Sequence, residues 1–258
     1  MVPDILARIV SRKREELREA SAPVAELRWA AELARDTHRD FAAALRSKSP
    51  AIVSEIKKAS PSKGVLIHDF NPAALARKYE QGGAAALSVL TDRDYFQGRL
   101  EDLRAARAAT SLPVLRKDFT IAEYQIYEAA AAGADAVLLI AAILDETELR
   151  NFRELAAELG MAALVEAHDA QEVDVSLKSG AQIIGINNRD LRTFQVSLDT
   201  STELGARIPP GILKVSESGI FHSSDIHRLR SAGFDAFLVG EHLVRSGDPA
   251  QALRELAA

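Results

Sequence analysis

The chain has 258 residues, of which 47% are hydrophobic and 27% are charged, and it contains no cysteine. This composition excludes disordered, collagen-like and disulfide-stapled chains, as well as thiolate nucleophiles and cysteine-ligated metals. The formal net charge of -5 argues against nucleic acid as a partner, because the chain creates no overall positive field.

The first fifty residues form an N-terminal segment with one amphipathic helix. Its apolar stripe consists of Ile5, Leu6, Ile9, Val10 and Leu17, and we expect the charged run that begins near Ser11 to form a solvated face. The simpler interpretation is a helix packed for stability, and the alternative is a helix that covers a barrel mouth and shapes a site. No apolar run reaches the roughly 20 residues of a membrane span, so we expect a cytoplasmic protein with no membrane partner.

Short apolar runs recur through the rest of the chain as strand candidates. They begin at Ala51, Ala85, Pro113, Ala136, Ala162, Ile183, Ile212 and Ala236. Runs that are apolar throughout are typical of parallel strands covered on both faces. Stretches rich in Ala, Leu, Glu and Arg with helical spacing lie between them, and several end in a glycine that suits a helix C-cap.

This alternation predicts an α/β fold, namely a (β/α)8 TIM barrel with an N-terminal helical extension. Because no Pro/Gly/Ser-rich linker divides the chain, we expect one domain over residues 1–258, with residues 1–50 as the extension. A doubly wound open sheet is the alternative fold. It normally has fewer strands and a Gly-x-Gly-x-x-Gly turn, which the sequence lacks.

Polar residues follow most strand candidates, at the ends where a barrel of this kind forms its active face. Because side chains alternate along a strand, Glu55 shares a face with Lys57, and Asn187 shares one with Arg189. A single charged strand end is explained by a local ion pair. Here six of the eight strand candidates end in polar residues, namely the first, third, fifth, sixth, seventh and eighth. So many polar ends indicate a functional cluster, because burying charged groups is energetically costly unless they serve a function. Lys117 beside carboxylates is a plausible proton donor.

The last two strand candidates run into glycines that suit an anion site. Gly219 and Gly240 allow backbone N–H groups to approach a phosphate, and the corresponding loops are the usual phosphate site of this fold. We therefore expect a phosphorylated small molecule as the ligand. The six histidines show no metal-binding spacing, so we expect no metal.

Distinctive motifs are spread over essentially the whole chain. In order, they are ILARIVSRKREEL, SEIKKASPSKG, VLTDRDYFQG, LRKDF, LVEAH, IGINNRDL, VSESGI and FLVGE. Together they resemble the motifs of the indole-3-glycerol phosphate synthases. The resemblance implies that 1-(2-carboxyphenylamino)-1-deoxyribulose 5-phosphate is cyclised, decarboxylated and dehydrated in tryptophan biosynthesis. It also implies that no cofactor takes part.

The resemblance also implies a role for individual residues. Lys117 becomes the general acid that activates the ketone, while Glu166, Glu55 and the lysines share the remaining proton transfers in an order left open. The implied catalytic set is Lys117, Glu166, Glu55, Lys57, Asn187 and Ser218. The phosphate would be bound by Ser218, Gly219, Gly240 and the backbone N–H of Glu241, and Lys57 would add positive charge.

The remaining implied positions bind the organic part of the substrate. Its carboxylate would meet Ser60 and Asn187, and Arg189 would orient the hydroxylated chain or stack near the ring. The apolar walls around the anthranilate ring would be Pro61, Phe96, Phe119 and Leu138.

Three other functions remain open at this point. Phosphoribosylanthranilate isomerase is usually associated with a catalytic cysteine, which is absent. An aldolase would form a Schiff base on Lys117, and a non-catalytic barrel would bind a phosphometabolite as a sensor. We expect a monomer or a weak homodimer.

Overall fold

The computed structural model describes residues 4–61 and 63–258, and its centre is a closed barrel of parallel strands. The strands are β1 (Ala51–Ile56), β2 (Ala86–Leu90), β3 (Val114–Lys117), β4 (Ala136–Ile140), β5 (Ala162–Ala167), β6 (Ile183–Asn187), β7 (Leu213–Glu217) and β8 (Ala236–Val239). The ring closes at β1, where Val53 pairs with Ala86 of β2 and Ala51 pairs with Ala236 of β8. The prediction of a (β/α)8 barrel is confirmed, and the open-sheet alternative is wrong.

Helices surround the barrel and precede it. They are α1 (Asp4–Glu19), α2 (Val24–Ala34), α3 (Phe41–Arg46), α4 (Pro72–Gly82), α5 (Leu100–Ala108), α6 (Glu123–Ala131), α7 (Glu146–Glu158), α8 (Ala170–Lys178), α9 (Asp199–Gly205), α10 (Ser223–Ser231), α11 (Glu241–Arg245) and α12 (Pro249–Ala257). A 3-10 turn at Arg35–Thr37 follows α2, and Ala59–Ser60 pairs with Gly64–Val65 in the loop after β1. Helices α4 to α10 each connect two consecutive strands of the barrel. None of the described helices is both long and apolar enough to cross a membrane.

Side chains alternate between the two faces of each strand, and those that point inward form an apolar interior below the mouth of the barrel. Inward-facing residues such as Val53, Leu115 and Leu164 form one buried cluster with Phe41 and Leu45 of α3. That cluster fills the barrel, as the inward side chains of this fold usually do. A second apolar cluster joins the outer faces of the strands to the helices. The interior is therefore a packed core, and open space remains at the mouth.

Helix α1 lies at the mouth, so the second interpretation of the N-terminal segment is the correct one. Its residues Ile5, Leu6 and Ile9 line the cavity described below. The expectation that the charged run near Ser11 is entirely solvated is wrong, because Lys13 is only 4% exposed. Charged partners from the barrel explain this burial, since the Lys13 ammonium lies 2.9 Å from Asp92.

Candidate functional site

A cavity of about 200 Å³ opens at the carboxyl ends of the barrel strands. Every site residue predicted from the sequence lines it, namely Lys117, Glu166, Glu55, Lys57, Asn187, Ser218, Ser60, Pro61, Phe96, Phe119, Leu138, Arg189, Gly219, Gly240 and Glu241. These residues come from loops and strands throughout the chain, and closure of the barrel brings their strand ends together.

The charged side chains of the site lie at strand positions that point into the barrel. Glu166 follows the inward-facing Leu164 by two residues, and Lys117 follows Leu115 in the same way. Because side chains alternate along a strand, the residue two positions beyond an inward apolar side chain also points inward. The apolar core therefore continues upward into a layer of ionisable groups.

Lys117 lies among carboxylates at the centre of this layer. Its Nζ donates a hydrogen bond of 3.1 Å to Oε2 of Glu166 and lies 3.5 Å from Oε2 of Glu217. Burial alone would lower the pKa of Lys117, but Glu166, Glu217 and Glu55 outweigh it and raise that pKa. Lys117 is therefore an ammonium at neutral pH, a form that can donate a proton.

Glu166 is held by different partners at each oxygen. Its Oε2 faces Lys117, while its Oε1 accepts a hydrogen bond of 3.2 Å from Nδ2 of Asn187 and lies 3.2 Å from Nε2 of His168. Burial alone would raise the pKa of Glu166, but Lys117, His168 and Asn187 reverse this effect and lower it. Glu166 is therefore a carboxylate at neutral pH and can accept a proton.

Glu217 joins the cluster from the end of β7, although sequence reasoning gave it no role. It is almost fully buried, and its Oε1 has no hydrogen-bond partner among the described residues. Burial raises the pKa of Glu217 to about 8 against the opposing charge of Lys117, with Glu166 and Glu55 adding to the rise. Its position two residues beyond the inward-facing Val215 was the signal that could have identified it.

The pKa values of two neighbouring carboxyl groups are thus shifted in opposite directions. That of Glu166 is lowered and that of Glu217 is raised, while the Lys117 ammonium lies 3.1 Å from the first carboxyl group and 3.5 Å from the second. Pairs of titratable groups whose pKa values are pushed apart by their surroundings are typical of acid-base sites. The arrangement supplies both proton donors and a proton acceptor in one cavity.

Glu55 occupies space that a glycine leaves open. Its Oε1 forms an ion pair with the ammonium of Lys57, which shares its face of the chain. A Cβ atom on Gly240 would lie 2.2 Å from the same oxygen. Gly240 therefore makes room for the Glu55 carboxylate, in addition to any approach of its backbone to a ligand.

Polar residues after β6 and β7 share one acceptor. Oδ1 of Asn187 accepts hydrogen bonds from Oγ of Ser218 at 2.9 Å and from the backbone N–H of Arg189 at 3.1 Å. Ser218 and Gly219 both have positive φ, 68° and 79°, so this turn is a left-handed pair. Such consecutive residues can direct their N–H groups towards an anion. The Glu241 carboxylate lies near Lys63 and Arg245.

Apolar side chains form the walls of the cavity. The rings of Phe96 and Phe119 lie with their centroids 6.1 Å apart. Sequence reasoning did not assign several other lining residues, which are Leu66, Leu90, Asp118, Ile140, Leu191, Phe194, Val196, Ile220, Phe221, Leu238, Val239 and His242. Those that lie in irregular loops gave no periodic signal, because loops lack a repeating inward face.

Comparison with known families fits this geometry. A family model described as indole-3-glycerol phosphate synthase matches residues 6–256. The chain belongs to this family. A curated family member from Aromatoleum aromaticum is 53% identical over 259 residues, which cover 98% of each chain. Another from Albidiferax ferrireducens is 52% identical over 261 residues, covering 99% of this chain and 98% of that one.

Solved structures with little sequence identity share the fold. Thiamine phosphate pyrophosphorylase from Pyrococcus furiosus superposes with a TM-score of 0.61 at 17% identity, over 80% of this chain and 93% of that one. A mandelate oxidase variant superposes with a TM-score of 0.62 at 16% identity, over 81% of this chain and 72% of that one. Similarity at this level extends to the fold alone, since one barrel supports many chemistries.

Proposed function

We propose that the chain converts 1-(2-carboxyphenylamino)-1-deoxyribulose 5-phosphate to indole-3-glycerol phosphate, as a carboxy-lyase of tryptophan biosynthesis. Family membership over residues 6–256 supports this activity. The structural observation that best suits it is the position of the Lys117 ammonium at the barrel mouth, 3.1 Å from Glu166 and 3.5 Å from Glu217. All three chemical steps require proton transfer or charge stabilisation, and this cluster offers both.

Ring closure begins at the ketone of the substrate. As the aromatic carbon attacks the carbonyl carbon, the Lys117 ammonium donates a proton to the carbonyl oxygen, which becomes a hydroxyl group. The electron pair of the ring nitrogen supports this attack, so the nitrogen becomes iminium-like. When carbon dioxide leaves, the electrons of the broken bond return to that nitrogen, and the aromatic system is restored.

Dehydration then requires an acid for the departing hydroxyl and a base for a ring proton. Ionised Glu166 suits the base, because its surroundings favour the carboxylate. Protonated Glu217, Lys117 and the Glu55–Lys57 pair are the available acids and charge partners, and Glu217 thereby extends the set predicted from the sequence.

The remaining cavity residues bind the substrate in this proposal. The left-handed turn at Ser218 and Gly219, with Gly240 and the backbone of Glu241, binds the phosphate. Ser60 and Asn187 meet the carboxylate, and Arg189 lies beside the hydroxylated chain. Pro61, Phe96, Phe119 and Leu138 form the walls around the anthranilate ring. Lys57 adds positive charge from its pair with Glu55.

We also propose that residues 1–258 work as one domain in the cytoplasm, as a monomer or a weak homodimer. The partner is a phosphorylated small molecule, and the reaction uses neither a cofactor nor a metal. The aldolase alternative is disfavoured, because Schiff-base formation requires a neutral amine and the carboxylates around Lys117 hold its ammonium form.

Direct detection of the product tests the proposal. Incubation of the purified chain with the ribulose phosphate substrate is expected to produce the fluorescence of indoleglycerol phosphate. Borohydride added during turnover is expected to leave Lys117 unmodified, whereas a covalent adduct there would support the aldolase. Tight calorimetric binding of the substrate without turnover would instead indicate a non-catalytic barrel and contradict the proposal.

A further inference from the structure

His168 lies behind the catalytic cluster and contacts it directly. It follows Glu166 by two residues, so both side chains leave the chain on the same face. Its Nε2 lies 3.2 Å from Oε1 of Glu166, and its Nδ1 lies 2.9 Å from Oε2 of Glu172. The imidazole ring is thus placed between two carboxylates, only 13% exposed.

Glu172 fixes the position of this ring. The same Oε2 accepts a hydrogen bond of 2.8 Å from the backbone N–H of His168. Glu172 lies in the first turn of α8, where its own backbone N–H donates a hydrogen bond of 2.9 Å to Oδ1 of the N-cap residue Asp169. Because a capped helix start holds Glu172, the ring has little freedom to turn away from Glu166.

The two carboxylates determine the charge of the ring. Nδ1 forms a hydrogen bond with Glu172, whereas Nε2 lies close to Glu166 without a hydrogen bond to any described residue. Two carboxylates at this range favour the positively charged form of the ring, because opposite charges at close range stabilise each other. Burial alone would lower the pKa of His168, but these carboxylates raise it to about 10. His168 is therefore a cation at neutral pH.

We propose that His168 is a positioning residue for Glu166, which its imidazolium holds ionised with Oε2 directed at Lys117. The contact at Oε1 complements the hydrogen bond from Asn187, so both oxygens of Glu166 have fixed partners. The role of His168 rests on the function proposed above, because it acts through a residue of that mechanism. His168 itself lies behind Glu166 and also borders a separate cleft between the loops after β4, β5 and β6.

Other charged residues surround this pair and are present both in the unmodified chain and in a His168 variant. Glu166 also faces Lys117 from β3 and interacts with Glu217 from β7, and both of these interact with Glu55 from β1. The cleft beside His168 is bordered by Asp145, Glu146, Asp169, Arg189, Asp190 and Arg192. A change that appears on replacing His168 alone therefore reports on its own charge.

The pH profile of the His168→Gln enzyme tests the proposal. Glutamine can donate a hydrogen bond but carries no charge, so the pKa of Glu166 is expected to rise. The acidic limb of the kcat/KM profile should move up by about one pH unit or more, as expected for loss of an adjacent opposite charge. We expect kcat to fall about tenfold at neutral pH while KM changes by less than about threefold.

Two further variants sharpen the result. Glu172→Gln keeps a side-chain oxygen that can accept a hydrogen bond from His168 but removes one of the two carboxylates, so a smaller shift of the acidic limb in the same direction is expected. His227→Gln is the matched control, because His227 is exposed on α10, and its profile should coincide with that of the unmodified chain. An unmoved acidic limb in His168→Gln, or a change in KM alone, would overturn the proposal.

The charge of His168 can also be measured in the unmodified chain. This test requires neither a folded variant nor turnover. In the full chain labelled with 15N-histidine, the ring nitrogens of His168 are expected to give the signature of an imidazolium at about pH 8. A neutral ring at that pH would overturn the proposal even if the chain is fully active. Absence of synthase activity in the unmodified chain, with an imidazolium present, would instead reject the proposed function.

Discussion

The ammonium of Lys13 lies 3.0 Å from Oδ1 of Asp118, the residue that follows Lys117. Asp92 lies 2.9 Å from the same ammonium, and all three side chains are almost fully buried. Burial alone would lower the pKa of Lys13, but Asp118 and Asp92 outweigh it and raise that pKa. This ion-pair cluster connects α1 to the barrel immediately beside the proposed general acid.

Replacement of Lys13 by methionine is expected to destabilise the chain strongly. It leaves two buried carboxylates without this counter-charge, and loss of one partner of a buried ion pair typically costs about 3–5 kcal/mol. Urea denaturation measures the loss in the free energy of unfolding. Arg14→Met is the control, because Arg14 is exposed on the same helix and should change stability by less than about 0.5 kcal/mol. A Lys13→Met chain as stable as this control would contradict the role of the cluster.

A methyl group on Gly240 is expected to disturb the Glu55 carboxylate. The added Cβ would lie 2.2 Å from Oε1 of Glu55, so that side chain must move and its ion pair with Lys57 must change. We expect Gly240→Ala to lower kcat/KM by about 10- to 100-fold, since misplaced catalytic groups cost rates on this scale. Gly247→Ala is a suitable control, because among the described residues no atom other than those of its chain neighbours lies within 4 Å of its added Cβ. Equal activities of the two variants would show that Glu55 tolerates displacement.

The strands were predictable because a parallel barrel buries both faces of each strand. The runs predicted to begin at Ala51, Ala136, Ala162, Ile183 and Ala236 begin where strands of the structure begin, and those predicted to begin at Ala85, Pro113 and Ile212 begin one residue too early. Each of these last three residues immediately precedes the first residue of its strand, a boundary that composition alone does not reveal. The cavity positions were predictable for a related reason, because closure of a parallel barrel gathers all strand ends at one mouth.

Residues buried by distant parts of the chain were not predictable in the same way. In the sequence, Lys13 belongs to a charged run that is expected to be solvated. It is buried because its ammonium forms ion pairs with Asp92 and Asp118 of the barrel. His168 matches no metal spacing, and its contact with Glu166 becomes informative only once Glu172 is seen on its other side. In each case, the decisive partners come from tertiary structure.

Removal of the proposed acid and base is expected to abolish most turnover. Lys117→Met and Glu166→Gln should each lower kcat at least about 100-fold while the fold persists, the scale expected for positioned proton-transfer groups. Steady-state assays with circular dichroism measure both properties. Lys178→Met serves as the control, because Lys178 is exposed on α8. Turnover in either catalytic variant equal to that of the control would remove the corresponding residue from the mechanism.

Glu217 is expected to make the stability of the chain depend on pH. Its pKa rises from the model-peptide range near 4.3 to about 8 in the folded chain, so the native state retains a proton that the unfolded state has lost. Stability from this group is therefore fully present below about pH 4 and is lost as the pH rises to about 8. Glu217→Gln keeps the shape but does not titrate, so its stability relative to the unmodified chain should improve by up to a few kcal/mol between about pH 5 and about pH 9.

Urea denaturation across that pH range measures the difference between the two chains. All other groups titrate in both, so the pH dependence of the difference isolates Glu217 and its neighbours. Glu158→Gln is the matched control, because Glu158 is exposed on α7 and its replacement should give a nearly constant difference. A constant difference for Glu217→Gln as well would mean that Glu217 is already ionised at about pH 5. Glu217 would then no longer be an available acid, and proton donation would be left to Lys117 and the Glu55–Lys57 pair.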